Sequence, residues 1–81
     1  MINDFVYYGE LFRIYSFLLT DKQKEIFSLY YDENLSLSEI AEYKNVSKSY
    51  VGKIINTIKS KLDYYESNLK HYELLQKKDS L

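Results

Sequence analysis

The chain of 81 residues contains no cysteine, no proline and no tryptophan, and only two glycines. Without cysteine it can form neither disulfides nor thiolate metal sites, and without proline no helix is broken by a missing backbone N–H. These absences favour a fold built mostly of helices and an intracellular setting. At this length the chain makes one domain with a modest core.

Catalytic and cofactor signatures are also scarce. The single histidine, His71, lies in a segment rich in lysine and glutamate, where a surface role is more common than a role as general base. The sequence has no glycine-rich phosphate loop and no spacing typical of metal ligands. We therefore expect no enzyme, no metal and no cofactor.

Membrane signals are missing from the sequence as well. No apolar run approaches the roughly 18 residues of a membrane-spanning helix, and the amino terminus lacks the basic region and cleavage site of a signal peptide. The sequence predicts a soluble, cytoplasmic protein.

Tyrosine is abundant instead, with ten copies beside four phenylalanines. Three Tyr-Tyr pairs occur, at positions 7–8, 30–31 and 64–65. Tyrosine can close a core while its hydroxyl stays in water, or it can anchor an interface. One ring of each pair must point away from the other, so core or interface packing is favoured over base stacking.

The first half of the chain predicts two helices. Apolar residues at helical spacing over 4–18 cover more than one face, which indicates a helix with partners on two sides. Thr20, with Gln23 three residues on, forms a capping box that starts a second helix at about 21–31.

A second pair of helices follows a polar turn. Ser36 and Glu39 form a capping box for a short helix that ends near Tyr43. Asn45 can adopt the left-handed conformation of a tight turn, and Ser47 caps the next helix. The sequence therefore predicts two helices joined by a short turn.

The last predicted helix is long, because apolar residues continue at heptad spacing from residue 51 to residue 72. This stripe either packs against the first helix or forms a coiled-coil seam in a homodimer. Its members are Val51, Ile55, Ile58, Leu62, Tyr65, Leu69 and Tyr72. Together these elements predict an all-α fold, a small helical bundle forming one wingless domain over 1–76, with a frayed tail over 77–81.

Charge is segregated along the chain, although the net charge is only −1. Residues 1–42 carry three cations and eight acids, whereas residues 43–62 carry five lysines and no acid. This basic segment covers the predicted turn and the first part of the long helix that follows it. Because phosphate attraction depends on local potential, this segment suits nucleic acid, with a shallower salt dependence than a wholly basic protein would show.

The stretch "LSEIAEYKNVSKSYVGKI" resembles the helix-turn-helix in the fourth region of bacterial sigma factors. The longer run over 18–42, "LLTDKQKEIFSLYYDENLSLSEIAE", is similar to the YlxM family of small sigma-region-like proteins. The similarity covers about residues 15–70. Lys44 departs from the pattern, which usually has an apolar residue there, and we expect Tyr43 to rotate inward to replace it.

The resemblance implies a helix-turn-helix protein with a regulatory or accessory role in the signal recognition particle pathway. Transferred onto this sequence, it places in the DNA major groove Ser47, Lys48, Ser49, Gly52, Lys53 and Asn56. The expected phosphate contacts are Lys44, Lys59 and Lys61. None of these residues is arginine, so we expect weak sequence discrimination.

Three functions remain open at this point. The first is a DNA-binding regulator. The second is a protein-interaction adaptor or accessory factor of the signal recognition particle GTPase, whose basic helix meets RNA or an acidic protein surface, without specific DNA binding. The third is a plain dimerisation module, and the fold alone does not choose among them.

Overall fold

The computed structural model describes residues 4 to 79, with side chains through residue 75. Regular structure in this range is entirely helical, which confirms the all-α prediction. The elements are α1 (Asp4–Tyr15), a 3₁₀ turn (Ser16–Leu18), α2 (Asp21–Tyr31), α3 (Leu37–Lys44), α4 (Lys48–Leu69) and α5 (His71–Asp79).

Side-chain caps fix where α2 and α3 begin. The Gln23 N–H donates to Thr20 Oγ1 at 3.1 Å, and the Thr20 N–H donates to Gln23 Oε1 at 3.0 Å. Ser36 and Glu39 repeat this reciprocal arrangement at 3.1 and 2.8 Å. Each box satisfies two N–H groups that the helix itself leaves without an acceptor. Both predicted capping boxes are confirmed.

The turn between α3 and α4 is short and locally bonded. Asn45 has φ 57° and ψ 49°, the left-handed region, which asparagine tolerates better than most residues. The Val46 N–H donates to the Ala41 carbonyl at 2.9 Å, and Ser47 Oγ accepts from the Tyr50 N–H at 3.0 Å. The predicted helix-turn-helix is therefore present, and its turn is closed by local hydrogen bonds.

The core is centred on α4, which contacts α1, α2 and α3. Its inward residues meet the buried side chains of the other helices. The fully or nearly buried apolar residues are Leu11, Tyr15, Leu19, Ile26, Phe27, Ile40, Ala41, Val51, Ile55, Ile58 and Leu62. Burial of this apolar surface supplies the main driving force for the fold.

The long predicted helix is divided, which corrects the expectation of one helix through Tyr72. Lys70 has φ 55° and ψ 31°, so α4 ends at Leu69 and α5 folds back to contact α1. The rings of Tyr7 and Tyr72 then lie 5.6 Å apart.

A carboxylate explains the break between α4 and α5. Glu66 Oε1 accepts from the buried Tyr15 hydroxyl at 2.6 Å and from the Tyr72 N–H at 3.1 Å. The second Glu66 oxygen accepts from the Glu73 N–H at 3.1 Å, and Tyr15 Oη accepts from the His71 N–H at 2.9 Å. Glu66 thus caps α5, although it is contributed by the preceding helix.

Most of the heptad stripe is consequently buried against the other helices of the same chain. Val51, Ile58 and Leu62 are 0% exposed, and Ile55 is 3% exposed. Tyr65 and Tyr72 pack partly on the same core, whereas Leu69 is exposed. A homodimer through these seven residues would require the core to open, so that seam is not available to a second chain.

The two residues before the turn also differ from expectation. Tyr43 does not rotate inward, and its side chain is 70% exposed. Lys44 keeps its own position, and its ammonium forms an ion pair with Glu25 Oε1 at 2.7 Å. A lysine can hold this place because its alkyl stem lies along the protein while its charge finds a partner.

At the carboxyl end, α5 remains helical through Asp79, so the backbone of residues 77–79 continues the helix. Residues 80 and 81 lie outside the described range, and fraying of the tail stays a prediction. Among the described helices, none is both long and apolar enough to span a bilayer.

Candidate nucleic-acid interface

The amino-terminal half of α4 presents a polar outer surface. Ser47, Lys48, Ser49, Lys53 and Asn56 are all exposed, and Gly52 is half-buried. An α-helix turns by about 100° per residue, so Ser49, Lys53 and Asn56 share one side, opposite the buried Val51 and Ile58. We call the six residues at 47, 48, 49, 52, 53 and 56 the outer face.

The start of α4 is electropositive. Its first turn contains no acid, and Lys48 stands at the first helical position. Ser47 caps one N–H, whereas the earliest N–H groups of a helix have no acceptor within it. These groups carry the positive end of the helix dipole, so this point attracts an anion such as phosphate.

A groove between the start of α2 and α4 extends this surface. It encloses about 430 Å³ and is lined by Thr20, Lys22, Gln23, Tyr50, Lys53, Ile54 and Thr57. The Lys22 ammonium lies 5.4 Å from the centre of the Tyr50 ring, and the Lys61 ammonium donates to Gln23 Oε1 at 3.4 Å. Three lysines thus stand in or beside one groove that adjoins the outer face.

Lys22, Thr20 and Tyr50 are not among the predicted site residues. Lys22 belongs to the acidic half of the sequence, and only the crossing of α2 over α4 brings it near Lys53. The capping box locates the start of α2, but no sequence signal gives its position relative to α4.

The three predicted phosphate-binding lysines do not lie together. Lys44 is paired with Glu25, and the Lys59 ammonium lies 5.4 Å from the Tyr8 ring and 5.7 Å from the Tyr30 ring. Lys59 is about 120° around α4 from Lys53 by helical geometry. A phosphate at Lys44 or Lys59 must therefore compete with partners inside the chain.

Gly52 is not required by packing within the protein. A Cβ built there would meet only Leu37 Cδ1, at an ordinary contact distance of 3.7 Å. Glycine inside a helix costs about 1 kcal/mol relative to alanine. Either another molecule approaches the backbone closely at Gly52, or the cost is simply tolerated.

Three tyrosines with shifted pKa values lie at the other end of the molecule. Burial, then the hydrogen bond that its hydroxyl donates to Asp63 at 2.8 Å, raise the pKa of Tyr8 to about 12. Burial, then the neighbouring carboxylates of Asp63 and Glu66, raise the pKa of Tyr7. Burial and the hydrogen bond to Glu66 raise the pKa of Tyr15. These groups stabilise the packing of α1 on α4 and lie apart from the outer face.

The described residues contain no side-chain cluster that could hold a metal ion. No group of three or more histidine or acidic side chains converges there. The arrangement at the outer face is instead one of hydrogen-bond donors and ammonium groups on a rigid helix, which suits a polyanion.

Comparison with known proteins assigns the chain to a family. Residues 2–81 match the model of a family described as "Putative helix-turn-helix protein, YlxM / p13 like". A UPF0122 protein of Mycoplasma mycoides is 51% identical over 73 residues, covering 90% of this chain and 62% of the relative. The chain thus spans less than two thirds of that relative's length.

Two further relatives belong to the same family. A UPF0122 protein of Thermoanaerobacter sp. strain X514 is 36% identical over 85 residues, covering 100% of this chain and 73% of its own length. One from Ureaplasma urealyticum serovar 10 is 46% identical over 71 residues, covering 88% of this chain and 72% of its own. With the α3–α4 geometry described above, these matches show that the chain belongs to the YlxM / p13-like helix-turn-helix family, UPF0122.

Proposed function

We propose that the chain is a regulatory protein that binds duplex DNA, with the outer face of α4 in the major groove. The observation that carries this proposal is the exposure of Ser49, Lys53 and Asn56 on one side of a helix that the Asn45 turn holds against α3. In helix-turn-helix proteins the second helix enters the groove with its amino-terminal residues toward the bases.

Four residues of the outer face then have a chemical role. The Asn56 amide can pair with adenine, and Lys53 can donate to guanine. Ser47 and Lys48, at the electropositive start of α4, suit the phosphates that fix the register. Because none of the six is arginine, we expect modest discrimination among sequences.

The groove between α2 and α4 supports the same mode of binding. Lys22 and Lys53 approach it from two helices, so a phosphate beside α4 would contact both. A phosphate contact from α2 would fix the tilt of α4 in the DNA major groove, since two separated contacts resist rotation better than one.

We place this regulatory role in the signal recognition particle pathway, in the cytoplasm, as the YlxM resemblance implies. The second candidate is an accessory factor of the particle's GTPase that binds without sequence-specific DNA contacts. The net charge of −1 favours that candidate, because a chain with one more acid than base attracts DNA weakly at physiological salt.

The test is fluorescence anisotropy with labelled duplex DNA at several salt concentrations. Lys48→Ala/Lys53→Ala should weaken binding at least tenfold and flatten the salt dependence, reducing the log–log slope by about 0.9 for each phosphate that is no longer neutralised. The control Lys24→Ala/Lys70→Asn removes two cations elsewhere, with asparagine chosen because it tolerates the left-handed backbone at position 70.

Equal weakening by both double variants would show non-specific attraction and contradict the proposal. The same proteins mixed with signal recognition particle components test the second candidate. A change in GTPase activity without any DNA binding would favour the accessory role.

A further inference from the structure

A second groove lies between α2 and α3, away from the outer face of α4. It encloses about 460 Å³ and is lined by Glu25, Ser28, Leu29, Glu33, Leu35 and Tyr43. Its apolar part consists of the half-buried Leu29 and Leu35 together with the Tyr43 ring. Tyr43, at 70% exposure, is a large aromatic side chain left in water at the rim of this groove.

The rim of this groove is anionic. Glu33 and Glu42 are exposed, and Glu39 and Glu42 line an adjoining depression on the other side of Tyr43. Glu25 is paired with Lys44 at 2.7 Å, and that ammonium is the cation that partly offsets the acids. The groove thus combines an apolar floor, an exposed aromatic ring and a negative rim.

We propose that this groove binds a basic amphipathic segment of a partner protein. An apolar side chain of the segment would rest on Leu29 and Leu35, and its lysines or arginines would face Glu33 and Glu42. A cation over the open face of Tyr43 adds a favourable interaction. Charge complementarity selects this occupant, because the same rim repels DNA, RNA and acidic proteins.

This inference goes beyond the proposed DNA binding, since it uses a different surface of the opposite sign. The chain would then carry two ligands, a polyanion on α4 and a polycation between α2 and α3. The sequence already separates these charges, with eight acids in residues 1–42 and five lysines in residues 43–62.

The test uses a labelled amphipathic peptide of leucine and lysine, and its counterpart with glutamate in place of lysine. The lysine peptide should bind the wild-type chain in an anisotropy titration, and the glutamate peptide should not. Glu33→Lys/Glu42→Lys should weaken the lysine peptide at least tenfold. Glu39 is kept in this variant because its side chain caps α3.

Two controls separate the groove from general acidity. Asp4→Lys/Asp21→Lys changes the net charge by the same amount, at exposed residues outside the groove, and should weaken the peptide by less than threefold. Tyr43→Ser should weaken it about as strongly as the charge reversal, whereas Tyr64→Ser, at a similarly exposed tyrosine, should not.

Equal losses in the groove variants and their controls would overturn the proposal. Sedimentation of the chain without peptide gives a further outcome. Self-association that disappears in Glu33→Lys/Glu42→Lys would mean that a second copy, through its own lysines, fills the groove, and would replace the proposed partner. Circular dichroism and urea titrations check that each variant is folded.

Discussion

The two ends of α4 meet their neighbouring helices through junctions of the same backbone shape but different support. At each junction a residue other than glycine adopts the left-handed conformation, Asn45 with φ 57° and Lys70 with φ 55°. The first junction is closed by bonds among nearby residues, from Ala41 to Tyr50. The second depends on Tyr15, which is 51 residues from its partner Glu66.

The difference indicates which part of the molecule can tolerate change. A junction held by local bonds keeps its angle while the rest of the chain varies, which suits a helix that presents a binding surface. The second junction also has local bonds to Glu66, but it loses the support of Tyr15 whenever α1 is not packed. The helix-turn-helix should therefore persist when α5 does not.

The largest expected effect is at Glu66. Glu66→Ala removes the acceptor of Tyr15 and of two α5 N–H groups, and should lower the free energy of unfolding by about 3 kcal/mol. Urea titration measures the loss, and amide hydrogen exchange should show α5 released while α3 and α4 remain protected. The control Glu42→Ala, at an exposed residue, should change stability by about 0.5 kcal/mol or less. Loss of protection in α3 as well would contradict the proposed independence of the junctions.

Alkaline pH should have the next largest effect, on the packing of α1 against the second half of α4. The pKa values of Tyr7, Tyr8 and Tyr15 are raised above the unfolded value of 10.0, that of Tyr8 to about 12. The folded state therefore binds more protons than the unfolded state above pH 10, and the stabilisation is lost as pH rises from about 10 to 12. Thermal melts across this range should show a smaller drop for Tyr8→Phe than for the wild type. An identical drop would mean that Tyr8 does not contribute.

The cap of the first junction has a smaller effect. Ser47→Ala removes the acceptor of the Tyr50 N–H and should cost about 1 kcal/mol. Ser49→Ala, at a nearby exposed residue of the same outer face, serves as the control in urea titrations. The contacts of α5 are unchanged in Ser47→Ala. The amide protection of α5 should therefore fall only as far as the global stability of the protein falls.

Glycine substitutions give the finest comparison between the two junctions. Lys70→Gly should raise the free energy of unfolding by up to about 1 kcal/mol, because lysine is strained in the left-handed region. Asn45→Gly should change it by only a few tenths, because asparagine already tolerates that conformation. Paired chemical denaturation curves decide the matter, and equal gains at both positions would refute the difference in strain.

The contrast between junctions also explains how much of the fold is predictable. Capping boxes act between residues three apart, so Thr20 with Gln23 and Ser36 with Glu39 mark helix starts that the structure confirms. Asn45 signals its turn through its own conformational preference. Lys70 has no such preference, and its turn depends on Glu66 and Tyr15, whose meeting is a product of tertiary packing.

In the candidate nucleic-acid interface, too, local features are predictable from the sequence and tertiary contacts are not. The exposure of Ser47, Lys48, Ser49, Lys53 and Asn56 follows from helical periodicity once the start of α4 is known. The contribution of Lys22 depends on how α2 crosses α4, which periodicity does not encode. The inward rotation predicted for Tyr43 is wrong because Lys44 holds its own position through its ion pair, so no apolar replacement is needed.

The ion pair between Lys44 and Glu25 joins a predicted phosphate contact to the acidic groove between α2 and α3. A basic segment that captures Glu25 would set the Lys44 ammonium free, and a phosphate that captures Lys44 would set the Glu25 carboxylate free. The two ligands should then favour each other reciprocally, by about 1 kcal/mol or less because the pair is partly exposed. Lys44→Met should abolish this mutual assistance, which a titration of the basic peptide with and without DNA would measure.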